Sequence, residues 1–276
     1  VIGTGGYICG PVFSVALKRK IPTVLHESNA FPGKAVKHFS KKVDKILVGF
    51  EETKSKLEGA KSVVVTGTPT KIRKLDVSLQ RKRELLEELG IKNDLPIVLI
   101  FGGSQGAQRI NQAVMDLIKQ KKNDKYQIIW ATGPKQYDIV KEEFERNDIY
   151  INNIKNVKVL PYIYNMEEIM NISDLLVCRS GAMTITEISI VGKPAIFIPL
   201  PSMSANRQED NALVLKKLGA AKIILNKDMC AEKLSEEIDD IICDGLELEE
   251  MGKIANQIAP SNVEDRIYNE IKELMK

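Results

Sequence analysis

The chain has 276 residues, enough for two domains of ordinary size, and its composition of 43% hydrophobic and 28% charged residues is that of a globular protein. No apolar run reaches the length of a membrane span, and four cysteines without paired spacing and only two histidines argue against a disulfide framework or a His-rich metal site. Residues 1–74 carry fourteen basic and five acidic residues, a balance of +9, and residues 75–276 carry −6, so anionic lipid is a candidate partner of the first part, whereas no nucleic-acid module accompanies it.

The chain begins with a short apolar stretch and a glycine-rich turn. Residues 1–3 resemble the end of a strand, so we expect the chain to begin within a domain. The turn 3–11 leads into a helix over 12–19, and a strand over 23–25 ends in the polar residues His26-Glu27-Ser28-Asn29. Polar residues at the carboxyl end of a parallel strand lie where open α/β sheets bind ligands, although an ordinary polar loop is the alternative.

A basic stretch follows at residues 34–46. Helical periodicity predicts one helix there, with its apolar residues on one side and its lysines on the other. The predicted basic face consists of Lys34, Lys37, His38, Lys41, Lys42 and Lys45. Such a face is typical of contact with anionic lipid headgroups, and a solvated outer surface is the alternative.

A second unit is predicted after a break in the pattern. A strand over 62–66 ends at Gly67-Thr-Pro-Thr70, and a charged, helix-prone connector covers 78–90, which places the domain boundary at 67–76. Beyond it, strands and helices alternate as in a doubly wound parallel α/β sheet. Strands are predicted at 97–101, 127–131, 156–160, 174–178, 195–199 and 221–225. Helices are predicted at 104–121, 135–146, 165–172, 182–191, 207–218 and 231–243.

The segment 96–117 predicts an anion-binding turn. A buried strand runs through Gly102 and Gly103 to Ser104 and then into an amphipathic helix. Such a turn presents backbone N–H groups and a helix dipole to a phosphate, and a plain helix joint capped by Ser104 is the alternative. The segment lacks the Gly-Lys-Ser/Thr of a P-loop and the glycine spacing of the dinucleotide fingerprint.

Two further strand ends carry polar residues. The strand that closes at 178 continues through Arg179-Ser180-Gly181 into a helix that contains Glu187. A carboxylate there could accept the hydroxyl groups of a ribose, and a solvated helix glutamate is the alternative. The strand that closes at 199 leads to the polar helix start 206–212. Together with the end at 101, these three ends are expected at one edge of one sheet.

These segments together resemble the MurG family, the N-acetylglucosaminyltransferases that convert lipid I to lipid II in peptidoglycan synthesis. The matching motifs are Gly5-Gly-Tyr-Ile-Cys-Gly-Pro11, His26-Glu-Ser-Asn29, Gly102-Gly-Ser-Gln-Gly-Ala107, Cys178-Arg-Ser-Gly-Ala-Met-Thr-Ile-Thr-Glu187 and Gln208-Glu-Asp-Asn-Ala212. The resemblance implies a glycosyltransferase-B fold of two Rossmann-like doubly wound domains, the first incomplete, with an acceptor- and membrane-facing part at 1–70 and a donor-binding part at 71–261. It also implies that the last helix, within 262–276, packs back on the first domain.

The same resemblance implies the substrates and the place of action. The donor would be UDP-N-acetylglucosamine, and the acceptor would be lipid I, undecaprenyl-pyrophosphoryl-MurNAc-pentapeptide. The reaction would proceed with inversion, without a cofactor or an obligatory metal, at the cytoplasmic face of the bacterial membrane, where the protein would be peripheral. Cell-wall synthesis, cell shape and cell division are the processes that such an activity serves.

Residue roles also follow from the resemblance alone. Ser104 and the neighbouring Gln105 would contact the donor pyrophosphate, Ile163 would pack on uracil, and Glu187 would hold the ribose. The other donor-site residues implied are Asn29 and Gln208 at the sugar, Arg179, Ala182, Met183 and Thr184 along the nucleotide, and Lys71 near the diphosphate.

Two departures from the family pattern leave questions open. The family usually has Gly-Asn-Pro-Val-Arg where this chain has Gly67-Thr-Pro-Thr-Lys71, and lysine lacks the bidentate fork of arginine. The favoured catalytic base of the family would precede Val1, so the base is unknown, with His26 and Glu27 as candidates within the chain. We therefore expect donor binding with poor turnover. The alternatives are a UDP-N-acetylglucosamine 2-epimerase and a truncated UDP-sugar binder without catalysis.

Overall fold

The fold is taken from a computed structural model, and the structure describes residues 1–92, 95–201 and 207–275. Asn206 and Lys276, which belong to predicted segments, lie outside the described residues. The strands are β1 Ile2–Gly3, β2 Val24–Glu27, β3 Lys45–Val48, β4 Val63–Val65, β5 Ile97–Phe101, β6 Gln127–Ala131, β7 Val157–Leu160, β8 Leu175–Cys178, β9 Ala195–Phe197 and β10 Ala221–Ile223.

The helices confirm most of the predicted alternation. They are α1 Cys9–Lys18, α2 Lys34–Phe39, α3 Glu51–Lys54, α4 Leu79–Leu89, α5 Gln108–Lys119, α6 Pro134–Glu145, α7 Met166–Ile172, α8 Ala182–Val191, α9 Arg207–Leu218, α10 Ala231–Ile242, α11 Gly245–Gln257 and α12 Val263–Glu273. The sequence patterns predicted none of β3, α3 and α11. The helix predicted from residue 104 begins instead at Gln108, because a turn through glycines occupies 103–106.

The strands form two parallel sheets. The first has the order β1-β2-β3-β4, and the second has the order β10-β9-β8-β5-β6-β7. In the second sheet all residues of β5, β6 and β8 are buried, as expected of central strands covered by helices on both faces. The chain leaves the first sheet after Val65 and enters the second at Ile97; the predicted boundary at 70/71 lies between these residues and stays a prediction.

The prediction of one helix over 34–46 is wrong. Helix α2 ends at Phe39, and Lys45–Val48 forms the fully buried strand β3 between β2 and β4. Strand β3 has the sequence Lys-Ile-Leu-Val, and its first residue continues the spacing of the preceding lysines, so the sequence pattern assigned Lys45 to the basic helix. The side chain of Lys45 therefore does not belong to the predicted basic face.

Helix α12 contacts the first sheet. The ammonium group of Lys45 is ion-paired with Glu270 and donates to Glu273 at 2.9 Å, and the Lys45 side chain is only 10% exposed. Near the beginning of α12, Pro260 and Val263 lie against Gly67, which follows β4. These contacts tie both ends of the chain to one sheet.

The halves also share a hydrophobic core. Ala30 and Phe50, which follow β2 and β3, belong to the cluster on one face of the second sheet together with Phe101, Cys178 and Phe197. The carboxyl ends of the central strands therefore face each other across the junction. Within the described ranges, no helix is both long and apolar enough to cross a membrane.

Candidate functional site

The candidate site lies at the point where the second sheet reverses its winding. Strand β5 has β6 on one side and β8 on the other, so the connections run in opposite directions from β5. Open α/β sheets bind ligands in the crevice outside the carboxyl ends of the strands at this position. The loops after β5 and β8, for which the sequence predicts ligand binding, flank this crevice.

The loop after β5 is a tight glycine turn. Gly103 and Gly106 adopt positive φ angles of 83° and 76°, and the Gly106 N–H donates to the Gly103 carbonyl at 2.9 Å. A Cβ atom on Gly106 would collide with the Thr132 carbonyl, so only glycine lets this loop pack against the end of β6. Ser104 and Gln105 are exposed at its tip. The loop thus holds two predicted pyrophosphate residues at the open side of the crevice.

Helix α5 starts behind this loop without a side-chain cap. Its N-cap residue is Ala107, whereas Ser104, which would be the cap of a plain helix joint, lies in the preceding turn. The first N–H groups of a helix have no intrahelical acceptors, and together with the helix dipole they favour an anion. The joint capped by Ser104, which was the alternative, is therefore not what the structure has, and phosphate binding by this turn stays a prediction.

Arg179 organises the ends of three strands. One guanidinium nitrogen donates to the carbonyl oxygens of Ile198 and Pro199, at 2.9 and 3.2 Å, and to Oδ1 of Asn226 at 2.8 Å. Burial lowers the pKa of this guanidinium below its ordinary value. These bonds give Arg179 a scaffold role between the ends of β8, β9 and β10.

Helix α8 carries the predicted nucleotide residues. Ala182 and Thr184 are half-buried in its first turn, Met183 is 40% exposed, and Glu187 follows one turn later. Burial raises the pKa of the Glu187 carboxyl, and a hydrogen bond from the Thr70 hydroxyl at 3.0 Å acts against that rise. Thr70 was not a predicted site residue.

The start of α9 is bonded to the end of β8. The Ser180 hydroxyl donates to the Gln208 carbonyl at 2.7 Å, and Oε1 of Gln208 accepts from the Leu200 N–H at 2.9 Å. Gln208, a predicted sugar residue, is therefore held close to the predicted nucleotide helix.

Asn211 joins the two halves of the protein. Its side chain is fully buried; Oδ1 accepts from the Ala30 N–H at 2.8 Å, and Nδ2 donates to Asn29 Oδ1 and to the Ser180 carbonyl, both at 3.2 Å. These bonds bring the predicted sugar residue Asn29, on the first half, to the loop after β8 in the second. The polar helix start 206–212 was the sequence signal that could have identified Asn211. Its hydrogen-bond partners Ala30 and Asn29, however, are 181 and 182 residues away in the sequence.

The two candidates for a base within the chain are engaged in hydrogen bonds within the first half. Glu27 accepts from the backbone and side chain of Asn29, both at 2.9 Å, and from the Gly33 N–H at 2.6 Å. His26 is buried, with Nε2 at 3.0 Å from the Gly67 carbonyl and Nδ1 at 3.4 Å from the Ser28 hydroxyl. These bonds shape the loop after β2, and the identity of the base stays open.

Two predicted residues lie differently from the others. Ile163 is only 3% exposed and belongs to the core beside the second sheet, so little of its side chain is available to a uracil ring. Lys71 is exposed in the segment that links the sheets. The roles assigned to both stay predictions.

A cavity of about 320 Å³ lies beside the junction. Its walls come from the glycine turn 4–7, from the loop after β2 with Glu27 and Asn29, and from Arg207 at the start of α9. Polar side chains from both halves of the protein therefore line one cleft, which is a candidate site for a second ligand.

Comparison with known proteins agrees with this architecture. Residues 97–267 match the glycosyltransferase family 28 C-terminal domain, and residues 1–48 match the N-terminal domain of the same family. The chain is 43% identical, over its whole length and 73% of the relative, to UDP-N-acetylglucosamine–N-acetylmuramyl-(pentapeptide) pyrophosphoryl-undecaprenol N-acetylglucosamine transferase of Acetivibrio thermocellus.

Solved structures show the same likeness. The crystal structure of Acinetobacter baumannii MurG superposes with a TM-score of 0.79 at 28% identity, covering 99% of this chain and 74% of that one. A UDP-GlcNAc 2-epimerase from Neisseria meningitidis, bound to UDP-GlcNAc, gives a TM-score of 0.64 at 16% identity, covering 99% of this chain and 75% of that one, a likeness of fold alone. The predicted glycosyltransferase-B fold is thereby confirmed. The chain belongs to glycosyltransferase family 28 and, within it, to the MurG family of N-acetylglucosamine transferases.

Proposed function

We propose that this protein transfers N-acetylglucosamine from UDP-N-acetylglucosamine to lipid I, the undecaprenyl-pyrophosphoryl-linked N-acetylmuramyl pentapeptide, and so forms lipid II for peptidoglycan synthesis. The relative of 43% identity is named for a transfer between these substrates. The observation that carries the proposal is the bonded junction at Asn211, which holds Asn29 of the first half against the donor loops of the second.

The second half, predicted as residues 71–261, binds the donor nucleotide. Glu187 accepts hydrogen bonds from the ribose, and the turn at Ser104 together with the start of α5 receives the diphosphate. This placement puts the positive end of a helix dipole where negative charge develops as UDP departs. The bound sugar extends towards Gln208 and Asn29, because both residues adjoin the Asn211 junction.

The first half, predicted as residues 1–70, binds the acceptor in the cleft lined by the glycine turn 4–7. The acceptor hydroxyl then lies on the opposite side of the anomeric carbon from the departing UDP, which is the arrangement for inversion. Orientation of the two reactants by the facing loops accounts for a large part of the rate. Deprotonation of the hydroxyl needs a base that accepts its proton in the transition state.

We propose that the protein meets its lipid-linked acceptor at a membrane surface. Its exposed basic face consists of Lys34, Lys37, Lys41 and Lys42, with His38 among them. Lys18, Arg19 and Lys20 are also exposed, at the end of α1, the helix that packs against α2. Clustered lysines near an anionic leaflet each contribute about 1 kcal/mol of attraction.

The activity is tested by product analysis. The 276-residue chain is incubated with radiolabelled UDP-N-acetylglucosamine, with and without lipid I in detergent. A labelled glycolipid that forms only with lipid I is the expected product. Labelled UDP-N-acetylmannosamine would support the epimerase instead, and donor binding without any product would support a binder without catalysis.

A matched variant ties the product to the site. Glu187→Ala removes the carboxylate from the predicted ribose contact, whereas Glu142→Ala removes an exposed carboxylate from α6, away from the donor loops. Glycolipid formation at limiting donor should fall in the first variant and be unchanged in the second. Equal rates in both would contradict the placement of the donor.

A further inference from the structure

The Glu187 carboxylate is held by a residue from outside its own domain. Thr70 lies in the segment that leaves the first sheet, and its hydroxyl donates to Glu187 Oε1 at 3.0 Å. The same hydroxyl oxygen accepts from the Ile72 N–H at 3.2 Å. Because that N–H occupies the oxygen, the hydroxyl proton is directed at the carboxylate.

The surroundings of Glu187 offer it few other polar partners. It is the single charged residue of α8. On the neighbouring strand β8, burial and the charge of Glu187 together raise the pKa of the Cys178 thiol, so this group stays neutral. The acidic residues of α7 are already bonded, Glu167 to the Arg73 N–H and Glu168 to the Arg81 guanidinium.

Among the described residues, the other helices that pack on α8 place no cation in an ion pair with Glu187. Helix α11 contacts the end of α8 through Asn256, which donates to the carbonyl oxygens of Ser189 and Ile190. Helix α9 carries Arg207, Glu209 and Asp210 in its first turn, at the Gln208 end of the site. Among the described residues, the half-buried Glu187 carboxylate therefore accepts its side-chain hydrogen bond from the Thr70 hydroxyl.

We propose that Thr70 is a positioning residue for the nucleoside diphosphate: it fixes the Glu187 carboxylate in the orientation and the ionised form that accept the ribose hydroxyls. The inference rests on the proposed donor site. It also means that the segment between the two sheets takes part in nucleotide binding through Glu187.

The pH dependence of donor binding follows from the signs of the two effects on Glu187. Burial raises the pKa of the carboxyl, and the bond from Thr70 lowers it. Loss of the hydroxyl therefore raises the pKa further, and the acid limb of the affinity profile moves to higher pH. Since hydrogen bonds to charged groups are among the stronger ones, we expect calorimetry to resolve this upward shift of the acid limb.

The experiment measures the Kd of UDP-N-acetylglucosamine by calorimetry from pH 5 to 8.5. This ligand is used because it has no terminal phosphate that titrates in the range. Thr70→Val keeps the branched shape and removes the donor, and Thr70→Ser keeps the hydroxyl. The matched control is Thr68→Val, since the buried Thr68 hydroxyl, two residues away, has no hydrogen-bond partner among the described residues.

The expected result is three- to tenfold weaker binding by Thr70→Val at neutral pH with the acid limb shifted upward, and unchanged profiles for Thr70→Ser and Thr68→Val. In a Glu187→Ala background, Thr70→Val should change the Kd by less than twofold. Normal binding by the unsubstituted chain with an identical profile for Thr70→Val would overturn this inference alone. No binding by the unsubstituted chain would overturn the proposed donor site and this inference with it.

Discussion

Replacing Asn211 by alanine tests how the two halves of the protein are joined. The substitution removes the acceptor of the Ala30 N–H, a bond of 2.8 Å, and both bonds from Nδ2. Ala30 is only 1% exposed, so water cannot replace the lost acceptor without a rearrangement of the loop. An unsatisfied buried donor costs about 1–3 kcal/mol, and each lost neutral bond costs about 1 kcal/mol.

We therefore expect Asn211→Ala to lower the free energy of unfolding by about 2–4 kcal/mol. Urea unfolding followed by fluorescence measures this change, because Trp130 is the single tryptophan and is completely buried beside the second sheet. The matched control is Asn147→Ala, an exposed asparagine bonded only within its own helix end at 2.8 Å, for which we expect a loss below about 0.5 kcal/mol.

Ligand binding gives an independent readout of the same substitution. Asn211 fixes Asn29, the predicted sugar residue, so the variant should lose more affinity for UDP-N-acetylglucosamine than for UDP. A stability loss as small as that of Asn147→Ala, with equal effects on both ligands, would refute the view that Asn211 couples the halves.

Three further predictions concern single contacts. Glu187→Ala should weaken UDP binding about ten- to a hundredfold, the equivalent of a lost bond to a charged group, and a change below threefold in calorimetry would remove Glu187 from the site. Lys45→Met should lower the free energy of unfolding by about 1–2 kcal/mol, because it leaves the partly exposed Glu270 without its cation. The control Lys54→Met, which removes the cation of the exposed pair with Glu51, should lower it by less than about 0.5 kcal/mol. Equal losses in the two variants would contradict the docking of α12 through Lys45. Sedimentation with vesicles should show binding to anionic but not neutral lipid, declining as salt rises, and replacement of the four lysines of the basic face by glutamine should weaken it strongly. Binding that is unchanged by the replacement would assign these lysines to an ordinary solvated surface.

Local patterns in the sequence were sufficient for most of the second half. Strand β5 and helices α8 and α9 were predicted with the bounds that the structure has, since continuous apolar strands and helical periodicity are properties of neighbouring residues. The loops after β5 and β8 were predicted to meet at one sheet edge, and the strand order confirms it. Carboxyl ends of parallel strands meet there in any sheet of this kind.

The contacts that only the tertiary structure reveals join residues that are far apart in the sequence. Lys45 looked like part of a basic helix because its partners, Glu270 and Glu273, follow 225 and 228 residues later. Likewise, the bond from Thr70 to Glu187 spans 117 residues, and the bonds from Asn211 to the loop after β2 span about 180. No local periodicity encodes such pairs, because a buried charge or amide is stabilised only by the group that the fold brings next to it.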